Sequence, residues 1–399
     1  MTANFDTAID WDAYVALRRD LHRHPELGFQ EFRSARLVAD RLRALGYDVV
    51  EGVAGTGVVG TLRNGDSSRR IGLRADMDAL PIQESTRVDW ASEVPGAMHA
   101  CGHDGHTAIL LAAAEIIARK RKFDGTVHLI FQPAEELGGG GGARRMIEEG
   151  LFERFPCDAV FAMHNMPGWP AGQFLFREGA MMASSDRVVV TFNGKGGHAA
   201  VPHRTVDPTI AAASAIMALQ TIASRNIDPL DSVVVSIGTL QAGAAYNVIP
   251  DSARLELSVR AFSPAVRDEL EARIRRICTL QAESYGATAQ VDYQRGYPVL
   301  VNTADETRGA VEVARRVFGA ENVQPDTEPL MGSEDFAYML RERPGCYLLI
   351  GNGVIGATDP GTGLRHCMVH NPGYDFNDAC LAPAATFWAA LTEHRLGPQ

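Results

Sequence analysis

One short segment, residues 97–106 (AMHACGHDGH), brings a cysteine and several histidines together between glycines, just before a predicted helix. Cys101 and His103 are separated only by Gly102, whose missing side chain permits a tight backbone bend. A thiolate and an imidazole at this spacing can converge on a borderline-soft ion such as Zn²⁺, Mn²⁺ or Co²⁺. Taken alone, the spacing also fits a reactive cysteine or one that is merely packed.

Two adjacent carboxylates follow an apolar strand pattern in the sequence FQPAEE. Glu135 and Glu136 come just past the carboxyl end of that strand, where open α/β sheets build their sites. One carboxylate can ligate a metal while the other takes a proton from an attacking water. Standing alone, the pair would also fit a solvated acidic loop.

Two further histidines occupy comparable positions. His164 ends a predicted strand, and His370 follows glycine-rich loop sequence. A lone histidine is more often a core or surface residue than a ligand. Together with Cys101, His103 and Glu136, however, these histidines make five candidate ligands, which is enough for two metal ions that share one bridging group.

Alternating strand and helix patterns carry these residues. Two helices are predicted within residues 9–45, broken at His24-Pro25-Glu26. Further strands are predicted at 47–50, 57–62, 71–75, 126–132, 159–164 and 346–350, and further helices at 107–120, 144–149, 305–318 and through the 380s. This alternation indicates an α/β fold with a mostly parallel sheet.

The pattern changes between residues 185 and 297, where the predicted order is β-α-β-β-α-β, a ferredoxin-like unit complete in itself. The chain has 399 residues, which is more than a single core usually holds. We therefore predict a larger domain formed by residues 1–184 and 298–399, with an inserted second domain at 185–297.

Composition excludes some classes of function. The net charge is −11 and no stripe of Lys and Arg is present, so nucleic acid is not an expected partner. No stretch resembles a signal peptide or an apolar membrane span, and six scattered cysteines are typical of a reducing compartment. We expect a cytoplasmic protein that does not bind membranes.

Over nearly its whole length the sequence resembles the M20 metallopeptidases, within them the branch of hippurate hydrolases, N-acyl-amino-acid amidohydrolases and auxin-conjugate hydrolases. The matching motifs, in order, are LHRHPELGFQE, RADMDALP, MHACGHDGH, FQPAEE, MHNMPG, GKGGHAAVPH, NVIP, MGSEDF and HNPGYDF. The resemblance implies a zinc-peptidase-like catalytic domain and an inserted domain that acts as a lid and in dimerisation.

Position by position, the resemblance implies the metal ligands Cys101, His103, Glu136, His164 and His370, with Cys101 as the suspected bridge. Glu135 would be the general base, and Asp78 would orient a site histidine. Most other branches have a histidine where this chain has Asp76. We leave Asp76 out of the ligand set, because His103 takes the place of the lost histidine.

In the inserted domain, the resemblance implies that His198 donates a hydrogen bond to the oxyanion and that Asn247 and Arg260 contact the carboxylate of the substrate. A plain loop histidine, or a strand arginine paired with Glu256, would look the same in sequence. Asp335, like its neighbour Glu334, fits helix capping as well as a site role. Five other histidines are interpreted as structural: His22, His24, His99, His106 and His203.

The resemblance thus implies a metal-dependent amidohydrolase that converts a small N-acyl amino acid into a carboxylic acid and a free amino acid. Two divalent ions are expected, Zn²⁺ or Mn²⁺, with Co²⁺ or Ni²⁺ also possible. A homodimer or homotetramer would form through the inserted domain. The alternatives are a dipeptidase, an inactive metal-binding protein on the same scaffold, and a nucleophilic cysteine hydrolase.

Overall fold

The computed structural model describes residues 6–397. Its helices are α1 (Trp11–Arg23), α2 (Phe32–Ala44), α3 (His103–Lys120), α4 (Gly142–Glu148), α5 (Leu151–Arg154), α6 (Pro208–Thr221), α7 (Pro264–Ser284), α8 (Ala304–Phe318), α9 (Phe336–Glu342) and α10 (Leu381–Leu396). Its strands are β1 (Asp48–Val53), β2 (Gly57–Asn64), β3 (Arg70–Asp76), β4 (Gly125–Gln132), β5 (Ala159–Met166), β6 (Phe174–Leu175), β7 (Gly179–Met182), β8 (Asp186–Asn193), β9 (Gly197–His198), β10 (Val233–Ala242), β11 (Val248–Ile249), β12 (Ser252–Ala261), β13 (Thr288–Arg295), β14 (Leu300–Asn302), β15 (Val323–Gln324) and β16 (Gly345–Gly351).

The described residues divide into two compact units. The larger comprises the residues up to 181, residues 301–328 and those from 335 onward; the smaller comprises 182–300 and 329–334. The division thus falls at 181/182 and 300/301, where the sequence predicted 184/185 and 297/298. The association of 329–334 with the smaller unit was not predicted, because this segment lies far from 182–300 in sequence.

The larger unit is built on an eight-stranded sheet in the order β1-β2-β4-β3-β5-β16-β6-β15. Its central strands β4, β3, β5 and β16 are parallel, which confirms the predicted largely parallel α/β class. Asp76 pairs with Gln132 at the end of β3 and β4, and Arg74 pairs with Ala162 on β5. The carboxyl ends of these strands therefore meet at one edge of the sheet, where we expect a site.

Two of the predicted boundaries near that edge were wrong. Helix α3 begins at His103, four residues earlier than expected, because Gly102 takes a left-handed conformation with φ 88° and starts the helix there. Strand β5 continues to Met166, so His164 lies within the strand and does not end it. Parallel pairing with β16 extends to Met166 and keeps the strand regular.

The smaller unit contains the predicted order of elements, β8-α6-β10-β12-α7-β13. Its antiparallel sheet has the strand order β10-β12-β8-β13, so β10 lies at an edge. Buried residues alternate along β8 and β12 and form one core with residues of α6 and α7. A two-stranded ribbon of β9 and β11, which the sequence analysis did not predict, is added to this arrangement.

No helix within residues 6–397 is both long and apolar enough to cross a membrane.

A buried ion pair lies inside the smaller unit. The Asp186 carboxylate accepts from Arg267 Nε at 3.0 and 3.1 Å and also pairs with its terminal NH2 group. The Tyr293 hydroxyl donates to the same carboxylate at 2.8 Å. Neither side chain of the ion pair is more than 9% exposed, so removal of one partner leaves an uncompensated buried charge.

We predict that Arg267→Met lowers the free energy of unfolding by about 3–5 kcal/mol, because the Asp186 carboxylate loses its cation inside the core. The matched control is Arg187→Met. Arg187 also pairs with an acid, Glu256, but its side chain is 57% exposed, so its loss should cost less than about 1 kcal/mol. Urea unfolding, monitored by circular dichroism, measures the free energy of unfolding of both variants. An equal loss in the two variants would contradict the prediction.

Candidate metal centre

The five predicted ligands lie in the larger unit, on four separate segments. Cys101 Sγ lies 3.3 Å from His164 Nε2. Ligand atoms of Cys101, His103 and His164 lie within 4.8 Å of one another, and so do those of Cys101, Glu136 and His370. Because Cys101 belongs to both groups, its thiol lies between two overlapping sets of ligands.

The hydrogen bonds of the buried histidines determine which nitrogen can coordinate an ion. His164 Nδ1 donates to the Asn165 carbonyl oxygen at 2.6 Å, so its Nε2 carries the lone pair that faces Cys101. His103 Nδ1 lies 3.2 Å from Asp78 Oδ1. In both rings the partner of Nδ1 therefore leaves Nε2 directed to the ligand cluster.

Asp78 connects two of the ligands. One of its oxygens contacts His103, and the other accepts from the Glu136 backbone N–H at 2.9 Å. Its side chain is buried. This position is compatible with the predicted orienting role, which remains a prediction.

The two adjacent glutamates follow β4 on a short 3-10 helix, Glu135–Leu137. Ala134, directly before them, has φ 54°, a conformation that costs a non-glycine residue energy. Its backbone N–H donates to the buried carboxylate of Glu31 at 2.8 Å, and Thr56 Oγ1 donates to the same carboxylate at 2.6 Å. Burial raises the pKa of Glu31 to about 7. Glu31, a residue of the LHRHPELGFQE motif, thereby fixes the start of the turn that carries both glutamates.

His370 approaches from the loop before α10. Its backbone is left-handed, with φ 65°, and its N–H donates to the Ala100 carbonyl oxygen at 2.7 Å. The imidazole Nε2 lies 3.0 Å from Glu136 Oε1, and its side chain is 51% exposed. His370 is therefore the most exposed of the five candidate ligands.

The electrostatics of the cluster favour a cation. Burial and the nearby carboxylates of Glu136 and Glu135 raise the pKa of the Cys101 thiol well above its ordinary value. Burial acts to lower the pKa of His103, but Asp76 and Asp78 raise it to about 10. Metal binding would displace these protons, so affinity should increase with pH.

The residues fit divalent cations, and the fit rests on His103. Its Nε2 is buried and has no hydrogen-bond partner within the described chain; it lies 3.7 Å from Asp76 Oδ2, too far for a hydrogen bond. Coordination of an ion would give this nitrogen a partner. Thiolate, imidazole and carboxylate together form a donor set suited to Zn²⁺, Mn²⁺ or Co²⁺.

Asp76 is buried beside the cluster, but both of its oxygens are occupied. Arg74 donates to Oδ2 and His106 Nδ1 to Oδ1, at 2.7 and 2.6 Å. Its omission from the ligand set stays a prediction, because ligand atoms of Asp76, His103 and His106 also lie within 4.8 Å of one another. Asp335 occupies the N-cap position of α9 but makes no side-chain capping hydrogen bond; its carboxylate accepts from Arg74 at 3.1 Å and from Gln132 at 2.8 Å.

The three predicted site residues of the smaller unit lie on its strands or directly beside them. His198 on β9 pairs with Val248 on β11, next to Asn247. The Ala200 N–H donates to His198 Nδ1 at 3.0 Å, so the ring proton is on Nε2. Arg260 lies on β12, and burial lowers its pKa.

Glu256 was considered in sequence as a partner of Arg260. In the structure its carboxylate pairs with Arg187 and Arg254, each at 2.6 Å. The alternative that Arg260 serves only as the partner of Glu256 is therefore not supported.

Sequence reasoning missed the polar residues that support the ligands, namely His106, Asn165 and Tyr374. All three are buried and hydrogen-bonded to one another or to ligand segments. His106 was interpreted only as structural. The available signals were the position of Asn165 next to His164 and that of Tyr374 within the motif of His370, but neither type of side chain is a common metal ligand.

The chain is similar in sequence and in structure to known proteins. The sequence profile of peptidase family M20/M25/M40 matches residues 72–394. The chain is 44% identical over 378 residues to a hippurate hydrolase of Campylobacter jejuni, with 95% of each chain covered. It is 38% identical over 364 residues to thermostable carboxypeptidase 2 of Saccharolobus solfataricus, covering 90% of this chain and 91% of that one. A crystal structure of a dinuclear metal-binding M20 peptidase from Bacillus subtilis superposes with a TM-score of 0.82 at 34% identity, over 97% of this chain and 98% of that one.

We predict that Gly102→Ala weakens metal binding at least about tenfold. A Cβ at this position would lie 2.6 Å from the Tyr374 hydroxyl and closer still to Asn165 Nδ2, so the Cys101–His103 turn would have to move. Isothermal titration with Mn²⁺ measures the change.

The control is Gly46→Ala. Gly46 has a similar φ of 83°, but nothing lies within 4 Å of the position that a Cβ would take there. Its substitution should cost about 1–2 kcal/mol in backbone strain and leave metal affinity intact. The same loss of affinity in both variants would contradict a local cause at Gly102.

Proposed function

The chain belongs to peptidase family M20/M25/M40, and on this premise we propose that it is a metal-dependent amidohydrolase of N-acyl amino acids. It uses water to cleave the amide between an acyl group and the nitrogen of an amino acid. The products are a carboxylic acid and a free amino acid.

The observation that carries this proposal is the position of Glu135. Its carboxylate is buried, and ligand atoms of Glu135, Glu136 and His103 lie within 4.8 Å of one another. The five proposed ligands do not include Glu135, so metal binding as proposed here does not require it. A second carboxylate at this point is what a general base needs, and it disfavours an inactive binding protein.

Two divalent ions, when bound, would supply Lewis acidity that acidifies the attacking water and polarises the amide carbonyl. Glu135 takes the proton of that water as its oxygen attacks the carbonyl carbon. It then delivers the proton to the amide nitrogen, so that the carbon–nitrogen bond breaks and the amine leaves neutral. Asp78 holds the His103 ring in the orientation that ligation needs.

His198 is the proposed donor to the oxyanion. Since its Nδ1 accepts from the Ala200 N–H, its Nε2 carries a proton that can be donated. Asn247, which adjoins the same ribbon, and Arg260 are proposed to bind the substrate carboxylate. Because Glu256 pairs with Arg187 and Arg254, it does not compete for the Arg260 guanidinium, which can make a bidentate contact with a carboxylate.

A second candidate function is cleavage of peptides, and the similarity to a thermostable carboxypeptidase supports it. The higher identity to a hippurate hydrolase, 44% against 38%, favours N-acyl amino acids. Nucleophilic catalysis by Cys101 is disfavoured, because its raised pKa keeps the thiol protonated when no metal is bound.

We further propose Zn²⁺ or Mn²⁺ as the ions, with Co²⁺ or Ni²⁺ as substitutes, and Cys101 as a ligand that would belong to both ligand groups. A thiolate ligand favours these ions over Mg²⁺ or Ca²⁺. A cytoplasmic location is proposed on the six free cysteines, since such thiols are typical of reduced compartments.

A homodimer or homotetramer through the smaller unit is also proposed. Edge strand β10 can pair with another chain. Several large apolar side chains of this unit are exposed, namely Met217, Leu230, Leu240 and Tyr246. Exposed apolar surface beside an open strand edge is typical of an interface. Light scattering of the purified protein gives the oligomeric state.

The substrate class is tested by hydrolysis of a panel of N-acyl amino acids and dipeptides, after chelation and again after addition of Mn²⁺ or Zn²⁺. Cleavage of hippurate or N-acetyl amino acids that depends on the added metal is the expected result. Cleavage of dipeptides alone would replace the proposal with a peptidase, and chelator-resistant activity would favour a cysteine hydrolase.

We predict that Glu135→Gln retains its metal ions but loses about 10²- to 10⁴-fold in kcat, because the amide cannot accept the proton of water. Metal content by mass spectrometry and steady-state kinetics measure the two effects. Glu148→Gln is the control, since Glu148 forms an exposed pair with Arg144 on α4 and should retain full activity. Near-normal turnover of metal-loaded Glu135→Gln would exclude the base role.

A further inference from the structure

Asn165 lies where three ligand-bearing segments meet. It directly follows His164 on β5 and is completely buried. Its side chain contacts the Cys101 segment and the segment that follows His370. A residue with this position can control the spacing of ligands that are far apart in sequence.

The amide of Asn165 connects the other two segments. Its Nδ2 donates to the Cys101 carbonyl oxygen at 2.6 Å. Its Oδ1 accepts from the Tyr374 hydroxyl at 2.5 Å. Tyr374 comes four residues after His370. The Asn165 amide therefore links the backbone of Cys101 to the loop that carries His370.

The backbone of Asn165 fixes the third segment. Its carbonyl oxygen accepts from His164 Nδ1, which leaves His164 Nε2 as the lone pair toward the Cys101 thiol. Its N–H donates to His106 Nε2 at 3.0 Å. The proton of the His106 ring is therefore on Nδ1, which donates to Asp76 Oδ1 at 2.6 Å.

The side chain of Asn165 is closely packed against its neighbours. A Cβ on Gly102 would overlap Asn165 Nδ2 and the Tyr374 hydroxyl. Asp76 is in turn held by Arg74 at 2.7 Å. The chain of contacts thus runs from the end of β3 through His106 to Asn165 without a gap.

From this geometry we propose that Asn165 is a positioning residue that sets the separation of the Cys101 and His164 ligand atoms. His106 supports it by holding the Asn165 backbone against the end of β3. Neither residue acts on the substrate. The inference rests on the proposed metal site but not on the proposed substrate, so metal binding tests it independently of hydrolysis.

The test is Asn165→Asp, measured by titration with Mn²⁺ and by the absorption of the Co²⁺-loaded protein. Aspartate keeps the oxygen that accepts from Tyr374 but places a second oxygen against the Cys101 carbonyl and His106 Nε2. We expect the Mn²⁺ dissociation constant to rise about 10- to 100-fold. The near-ultraviolet charge-transfer band of thiolate-bound Co²⁺ should weaken, because Cys101 is displaced.

Asn302→Asp is the matched control. Asn302 is also buried, and its Nδ2 donates to two carbonyl oxygens, those of Arg177 at 2.9 Å and Tyr347 at 2.8 Å. It should lower the melting temperature to a similar degree while leaving the Mn²⁺ affinity and the Co²⁺ band unchanged. Equal changes in metal binding for both variants would overturn the proposal, because general destabilisation would then explain them.

If Asn165→Asp does not fold, Tyr374→Phe provides the test. It removes one hydroxyl and leaves Asn165 Oδ1 without that donor, so the Mn²⁺ affinity should fall by a smaller factor. Wild-type metal affinity in a folded Asn165→Asp or in Tyr374→Phe would overturn the proposal. So would a wild-type protein that binds neither Mn²⁺ nor Co²⁺, whereas failure to hydrolyse any substrate would count only against the proposed function.

Discussion

The proposed metal centre depends on the contact that Nδ1 makes in each of the two buried candidate ligands, His103 and His164. Asp78 contacts Nδ1 of His103, and the Asn165 carbonyl accepts from Nδ1 of His164. Each bond fixes both the tautomer and the angle of its ring, so that Nε2 is left for an ion. A flexible imidazole could turn its protonated nitrogen inward, and the ligand set would be lost.

The fold brings the histidines and the partners of their Nδ1 atoms together at the carboxyl ends of neighbouring parallel strands. Strands β3, β4 and β5 are hydrogen-bonded neighbours that end at the same edge, and each supplies residues at that edge. Glu31 binds the backbone at Ala134 and so fixes the turn that carries Glu136. Gly102, directly before α3, fixes the turn that carries Cys101 and His103. Burial strengthens all of these contacts, and it also makes any unpaired polar atom costly.

The sequence was sufficient to predict the fold class and the order of elements in the smaller unit, because strand and helix patterns are visible in a sequence. The structure brings the five candidate ligands together, and their role as ligands stays a prediction. The start of α3 was missed because residues 101–106 read as a loop, whereas a left-handed Gly102 lets the helix begin at His103. The role of Asn165 could not be predicted, since it depends on contacts with Cys101 and Tyr374 that are 64 and 209 residues away. The segment 329–334 was missed for the same reason.

The most direct test of the central claim is anomalous X-ray diffraction from crystals of the Mn²⁺-loaded protein. Two manganese peaks are expected, each beside a group of ligand atoms that includes Cys101 Sγ. The side chains of His103, Glu136, His164 and His370 should complete the two ligand sets. A single peak, peaks that do not contact Cys101, or no peak at this cluster would contradict the proposed dinuclear site.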